Sequence, residues 1–194
     1  MSVTVIRLCA VARWEPNGRL RLREAALELY AERGYEGTTA AEIAERAGLT
    51  ERTFFRHFGD KREVLFEGEA ALQDLLVATV NGSDASEPRT ALAQGLQAMA
   101  VSLAPRRDAL RRREAIIAAH PELRERELIK LASLSAALAD ALQARGLDPA
   151  TARLAGEVSI ALFRVAFERW IADADKQELT EHVGDALGQL ALFA

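Results

Sequence analysis

Thr38-Thr39-Ala40-Ala41-Glu42-Ile43-Ala44-Glu45-Arg46-Ala47-Gly48-Leu49-Thr50-Glu51-Arg52-Thr53-Phe54-Phe55-Arg56-His57-Phe58-Gly59-Asp60-Lys61 carries the strongest local pattern in the chain. Two short helices are predicted inside it. The Thr39 hydroxyl can accept from the amide of Glu42 while the Glu42 carboxylate reaches back, a capping box that starts the first helix. Ile43, Ala44 and Ala47 form its apolar face, and Gly48 stops it. Thr50, two residues later, is a second N-cap candidate. In the helix it opens, Phe54 and Phe58 stand at i and i+4 and point inward together. The same period turns Phe55 outward. Gly59-Asp60 closes the unit. Two short helices about a tight glycine turn have the helix-turn-helix layout, in which the second helix enters a DNA major groove.

Outward from this unit the chain reads as helix almost throughout. Upstream, Leu22, Ala25, Ala26 and Leu29 fall at i, i+3, i+4 and i+7 of a helix that begins near Leu20 and ends at Gly34. Downstream, Asp60 is placed to cap a longer helix from Lys61 to about Val80. Asn81-Gly82-Ser83-Asp84 is a turn, and further helices are predicted at about 88–104, 106–119, 121–145, 149–173 and 176–192. Pro88, Pro105, Pro121, Gly146 and Asp148-Pro149 mark their boundaries. The predicted fold is all-α, about nine helices without a convincing strand. Residues 1–18 form a flexible basic arm, 19–66 a three-helix helix-turn-helix domain, and 67–194 a C-terminal helical domain.

Composition agrees and excludes alternatives. Of 194 residues, 49% are hydrophobic and 28% charged, which is a globular rather than a disordered balance. The net charge of -4 is unevenly spread: residues 1–64 carry 11 Lys/Arg against 10 Asp/Glu, and the remainder is acidic. Five arginines face the single Glu15 in the first 23 residues. Cys9 stands alone, so neither an intramolecular disulfide nor a thiolate metal cluster is available, and a reducing cytoplasm is expected. Ala10-Val11-Ala12 mimics a signal-peptidase site, but no positive charge precedes the apolar run and Arg7 interrupts it. No stretch approaches the length needed to span a bilayer. Scattered His57, His120 and His182 suggest no metal site, and neither a nucleophile–base pattern nor a phosphate-cradling glycine loop points to an enzyme or a cofactor.

The segments Gly34-Tyr35-Glu36-Gly37-Thr38-Thr39, Ile43–Thr50 and Thr53–Lys61 together resemble the N-terminal domain of the tetracycline-repressor (TetR) family over residues ~19–66. That resemblance implies a homodimeric, all-helical transcriptional regulator, most often a repressor released from a palindromic operator by a small molecule. Carried over by position, it places Thr39, Thr50, His57 and Lys61 near DNA phosphates and Glu51, Arg52 and Thr53 toward base edges. Several of these placements have an independent physical basis. Arg52 can make the bidentate contact to guanine, and Thr50 and Lys61 are expected at helix N-termini that favour a phosphate. Phe55 departs from the family, which commonly has Tyr there; without a hydroxyl it is left an apolar contact with a thymine methyl or sugar. Thr39 and Thr50 would cap helices in any protein, and Glu51 suits a first helical turn as well as it suits cytosine readout.

For the rear half, family-like placement of the fifth to eighth helices suggests an effector pocket among Leu96, Met99, Leu103, Ile116, Leu134, Phe163 and Phe167, for a largely apolar ligand. The helix at 149–173 is apolar on two faces: Leu154, Val158, Leu162 and Val165 form one stripe, and Ile160, Phe163, Phe167 and Trp170 the other. With Leu179, Val183, Leu187 and Leu190 of the last helix, the first stripe is expected to make a four-helix seam across a two-fold axis. Arg106, Arg107, Arg111, Arg112 and Arg113 crowd eight residues, as a solvated face or as anchors to the DNA-binding half or to an anionic effector. The competing function is a DNA-binding regulator that is constitutive or governed by a protein partner, without a small-molecule effector.

Overall fold

A computed structural model describes residues 17–174 and 177–190; the proposed arm, apart from Asn17 and Gly18, lies outside them. Among the described residues there are nine α-helices and no strand: α1 (Gly18–Arg33), α2 (Ala40–Arg46), α3 (Glu51–His57), α4 (Glu69–Asn81), α5 (Pro88–Leu103), α6 (Arg107–Ala119), α7 (Pro121–Ala144), α8 (Pro149–Ala172) and α9 (Leu179–Gln189). Two 3-10 turns, Glu63–Phe66 and Ala104–Arg106, join α3 to α4 and α5 to α6.

The local signals act as their chemistry requires. The Thr39 hydroxyl accepts from the Glu42 amide at 3.2 Å, and the Thr39 amide donates back to the Glu42 carboxylate at 2.8 Å. Thr50 caps α3 by accepting from the Thr53 amide at 3.2 Å. Asp148 accepts from the amides of Ala150 and Thr151, starting α8.

Two boundaries differ from the sequence expectation. The helix expected from Lys61 to Val80 is broken: residues 63–66 make a 3-10 turn, Gly68 turns into the left-handed region at φ 93°, and only then does α4 begin. Val64, Leu65 and Phe66 are all buried. Three consecutive residues spread over more than half the circumference of an α-helix, so one helix face could not bury them all; the tighter turn tucks them under α1. Asp60 still accepts from the amides of Arg62 and Glu63, but it caps that turn. The last helix starts at Leu179 rather than 176, because the Glu178–Glu181 capping box sets its first turn.

There are two apolar cores. One lies under α1–α3 and the 3-10 turn, and it also takes in Ile117 of α6 and Leu123 of α7. The other fills the bundle of α4, α5, α7, α8 and α9. The helices α7 and α8 approach so closely at Gly156 that a Cβ there would sit 2.7 Å from the carbonyl oxygen of Ser135.

Several polar contacts bind the halves together. Arg113 donates to the Leu65 carbonyl at 2.7 Å and pairs with Glu69, Glu114 and Glu127, and Arg126 pairs with Glu63. Arg107 instead donates to the carbonyls of Trp170 and Asp173, closing the end of α8. Of the five crowded arginines, Arg113 is thus an anchor to the helix-turn-helix half, and Arg111 and Arg112 are exposed.

Candidate nucleic-acid interface and effector cavity

The second helix of the helix-turn-helix, α3, presents Glu51, Arg52, Phe55 and Arg56 outward, while Phe54 and Phe58 are buried. Phe55 is 53% exposed, its ring set edge-on to that of the buried Phe54 with centroids 5.3 Å apart. The hydroxyls of Thr50 and Thr53 lie 2.9 Å apart, so the two candidate contacts share one hydrogen bond. Thr39 is exposed at the start of α2, its hydroxyl 2.9 Å from the Glu42 carboxylate.

The charges of this half are sorted. Arg33 pairs with Glu42 at 3.0 Å, Arg46 with Glu28 and Glu32, and Arg62 with Asp60 at 2.6 Å. Arg52 and Arg56 have no ion pair among the described residues and stand exposed on α3. Internal pairing thus takes up Arg33, Arg46 and Arg62 and leaves Arg52 and Arg56 as unpaired cations on the outer face of α3. Arg56 was missed in the sequence reading. Its position four residues after Arg52, on the same helix face, was the available signal.

His57 and Lys61 are less free than expected. The His57 imidazole sits against the start of α1, where a Cβ on Gly18 would come within 3.2 Å of Nε2. Burial, and then the nearby Arg56 and Arg19, lower its pKa below the ordinary value, outweighing Glu67. Lys61 does not begin a helix. Its ammonium donates to the carbonyls of Tyr35 at 2.9 Å and Thr38 at 3.1 Å and lies 4.3 Å from the centre of the Tyr35 ring. It clips the turn between α1 and α2.

The helices α1 and α4–α8 line a cavity of about 940 Å³ that is partly open to solvent. Met99, Leu103, Leu134, Phe163 and Phe167 of the expected pocket line it. Two do not. Leu96 is buried in the bundle core, and Ile116 packs at the margin of the helix-turn-helix core, whereas its neighbour Ile117 is buried in that core and also reaches the cavity wall. The one-residue error has a simple cause: both isoleucines are apolar, and only the seating of α6 between two cores decides which turns where. The polar part of the lining includes Glu69 and Glu114, whose carboxyls burial pushes up despite the opposing charge of Arg113.

On the rear surface, Leu154 is 66% exposed, Val165 38% and Leu190 40%, with Val158, Leu162 and Leu187 half-buried beside them. The other stripe of α8 faces inward, burying Ile160, Phe163 and Trp170. Leu179 and Val183 are a correction: both are fully buried in the protomer's own bundle. A partner cannot reach them. Helix α9 packs on α5 as well as α8, which consumes that part of its seam. His120 lies beside Glu122 and, across the fold, Glu36, their ligand atoms within 4.8 Å of one another; the sequence separation of Glu36 hides this grouping from a reading of the chain.

A family model described as bacterial regulatory proteins, tetR family, matches residues 22–67, and one described as the MftR C-terminal domain matches residues 86–192, more than half of the chain. The chain is 41% identical over 69 residues to the HTH-type transcriptional regulator TcmR of Streptomyces glaucescens, which covers 36% of this chain and 30% of that protein. It is 40% identical over 48 residues to the repressor AcnR of Corynebacterium glutamicum, covering 25% of this chain and 26% of that protein. The matched stretch therefore spans less than a third of these relatives. Among solved structures, the SmeT–triclosan complex aligns at a TM-score of 0.64 with 20% identity, covering 90% of each chain. NalD of Pseudomonas aeruginosa, the secondary repressor of the MexAB-OprM efflux pump, aligns at 0.61 with 22% identity, covering 89% of this chain and 96% of that one. FadR from Bacillus subtilis in complex with stearoyl-CoA aligns at 0.58 with 21% identity, covering 88% and 96%.

Proposed function

Because the chain belongs to the tetR family of bacterial regulatory proteins, with a C-terminal half of the MftR type, we propose that it is a cytoplasmic, homodimeric repressor released from a palindromic operator by a small, largely apolar molecule. The observation that carries the effector is the cavity of about 940 Å³, near the upper end of the ~300–1,000 Å³ typical of ligand sites. A solidly packed bundle would have favoured a constitutive or partner-controlled regulator.

In this reading Arg52 and Arg56 meet the major groove, Arg52 at a guanine edge. Phe55 makes apolar contact with a thymine methyl or sugar, and Thr39, Thr50 and His57 position the backbone. Glu51 and Thr53 are the next readers of base edges. The exposed α8 stripe supports the dimer, which would set two recognition helices about 34–36 Å apart. No helix of the described residues is long and apolar enough to cross a membrane.

The experiment is selection of duplexes from a randomised library by the full chain, followed by a compound screen scored on melting temperature and on operator affinity together. The expected result is a palindromic sequence and a compound that raises the melting temperature while weakening DNA binding. Selection without any enriched sequence would overturn specific operator binding. Compounds that raise the melting temperature and leave operator affinity unchanged would overturn the ligand as effector.

A further inference from the structure

The cations around the cavity are not equivalent. Arg113 commits its donors to the Leu65 carbonyl and three carboxylates. Lys130 lies 3.7 Å from Glu69, and Arg164 3.7 Å from Glu168. Arg23 on α1 and Arg106 in the turn between α5 and α6 differ. Both line the cavity, and the Nε of each is buried without a hydrogen-bond partner. Among the described residues no carboxylate pairs with either. The acid nearest in effect to Arg106, Glu67, is held by Arg19 at 2.6 Å. Burial, then the charges of Arg23 and Arg113, weaken the hold of Arg106 on its proton. Two guanidiniums therefore face one space without an ion pair of their own, while the carboxylates that line the same cavity beside them are taken by other cations, Glu67 by Arg19 and Glu69 by Arg113 and Lys130.

The N-terminus of the 13-residue helix α4 lies beside them. Its N-cap, Gly68, offers no side chain to the first-turn amides, and a Cβ built on Gly68 would be 3.6 Å from an Arg106 guanidinium nitrogen. Ala70, in that first turn, lines the same cavity. Amides at the positive end of a helix and two planar forks of N–H donors converge at one edge of the cavity, next to Glu69 of that first turn, whose carboxylate Arg113 and Lys130 engage. Together they are the donor set that recognises an oxyanion.

We propose that Arg23, Arg106 and the start of α4 seat the oxyanion of an amphipathic effector, a carboxylate or phosphate on an apolar chain whose tail lies among Met99, Leu103, Leu134, Phe163 and Phe167. This rests on the reading of the cavity as the effector site. The seat also spans the molecule. Arg23 belongs to the DNA-binding half and Arg106 to the bundle, so an anion between them favours the arrangement in which α1 and the α5–α6 junction are close. It binds that arrangement better than one with the pair apart, which is the difference in affinity that a ligand needs to shift a conformational equilibrium.

Titration calorimetry of the full chain with decanoate, decyl phosphate and decanol separates the head from the tail. The wild type is expected to bind at least one of the two anions about tenfold or more tightly than decanol, the scale of a charge-assisted hydrogen bond. Whichever anion is preferred identifies carboxylate or phosphate as the head. Arg23→Gln and Arg106→Gln should each reduce that preference and leave decanol affinity unchanged. Without ligand, both variants should melt at or above the wild type, because each removes a cation with no partner. A fall of several degrees in both would mark the arginines as structural and overturn the seat. So would equal affinity for anions and alcohol in the wild type, or an anion preference that survives both substitutions; in these cases decanol binding would leave the effector cavity standing. Failure of all three probes to bind would remove the cavity reading and the seat with it.

Discussion

Lys61 illustrates how one residue can satisfy a motif and still be occupied elsewhere. Its ammonium donates to two carbonyls of the α1–α2 turn, so Lys61→Ala should lower stability by about 1–3 kcal/mol, the range for hydrogen bonds from a charged donor and the acceptors they leave. Arg52→Ala and Arg56→Ala, on exposed positions without partners, should stay within about 0.5 kcal/mol and act on DNA instead. Urea unfolding beside operator binding measures both, and equal stability losses at all three positions would refute the distinction. Arg52→Ala should cost roughly 1–3 kcal/mol per half-site and relax preference at one symmetric pair of base pairs. His57 supplies the pH dependence. Its folded pKa lies below the ordinary value, so the unfolded chain takes up the proton first. Its contribution to stability is therefore complete above about pH 6.5 and is lost as pH falls through that value toward the folded pKa. His57→Gln should flatten the change in urea midpoint between pH 7.5 and 5.5. A phosphate beside the imidazole reverses the preference, so DNA affinity should rise over the same fall in pH.

The elements were legible where a cap, a glycine and an apolar period agreed. Thr39-x-x-Glu42, Thr50 and Asp148 started helices where their side chains could accept first-turn amides. The segment 61–80 failed because its apolar residues fit a helical period as well as a buried turn, and burial of Val64, Leu65 and Phe66 together selected the turn. Contact between elements is where substitution should be least tolerated. At Gly156 a Cβ would lie 2.7 Å from a backbone carbonyl of α7, an atom that cannot rotate away. Gly156→Ala should cost about 1–3 kcal/mol through displacement of α8, overriding the usual helical gain of alanine over glycine. Gly188→Ala in α9, with nothing within 4 Å, should be neutral or stabilising. Thermal melts of the two variants give opposite signs if the close approach is what matters.

At the scale of the whole molecule, the two cores are not separate domains joined by a linker. Ile117 and Leu123 pack into the DNA-binding core, and Arg113 and Arg126 tie its 3-10 turn to α6 and α7. Residues of the cavity wall are thereby in direct contact with the support of α3, the route that the proposed effector control would use. The dimer prediction belongs here. Leu154→Glu places a charge at a position already 66% exposed in the protomer, so it should leave the melting of the monomer fold intact while weakening association at micromolar concentration. Sedimentation would show it: a monomeric wild type would overturn the dimer, and a variant that dimerises equally well would move its two-fold axis away from α8.

What the sequence determined alone was local and chemical. Helix starts depend on a side-chain oxygen three residues from an amide, and the inward turn of Phe54 and Phe58 depends on the 3.6-residue period; both are complete within a few residues. The outward placement of Arg52, Phe55 and Arg56 follows from the same period. Tertiary structure decided what depends on distant residues meeting. It chose Ile117 over Ile116 for the cavity, withdrew Leu179 and Val183 from the outer seam, and bound the Lys61 ammonium to a turn more than twenty residues upstream. It also brought Arg23 and Arg106 to one cavity, each with a buried Nε that has no hydrogen-bond partner. An apolar or charged side chain is compatible with several neighbours, and only the packing of the other helices against its own determines which one it meets.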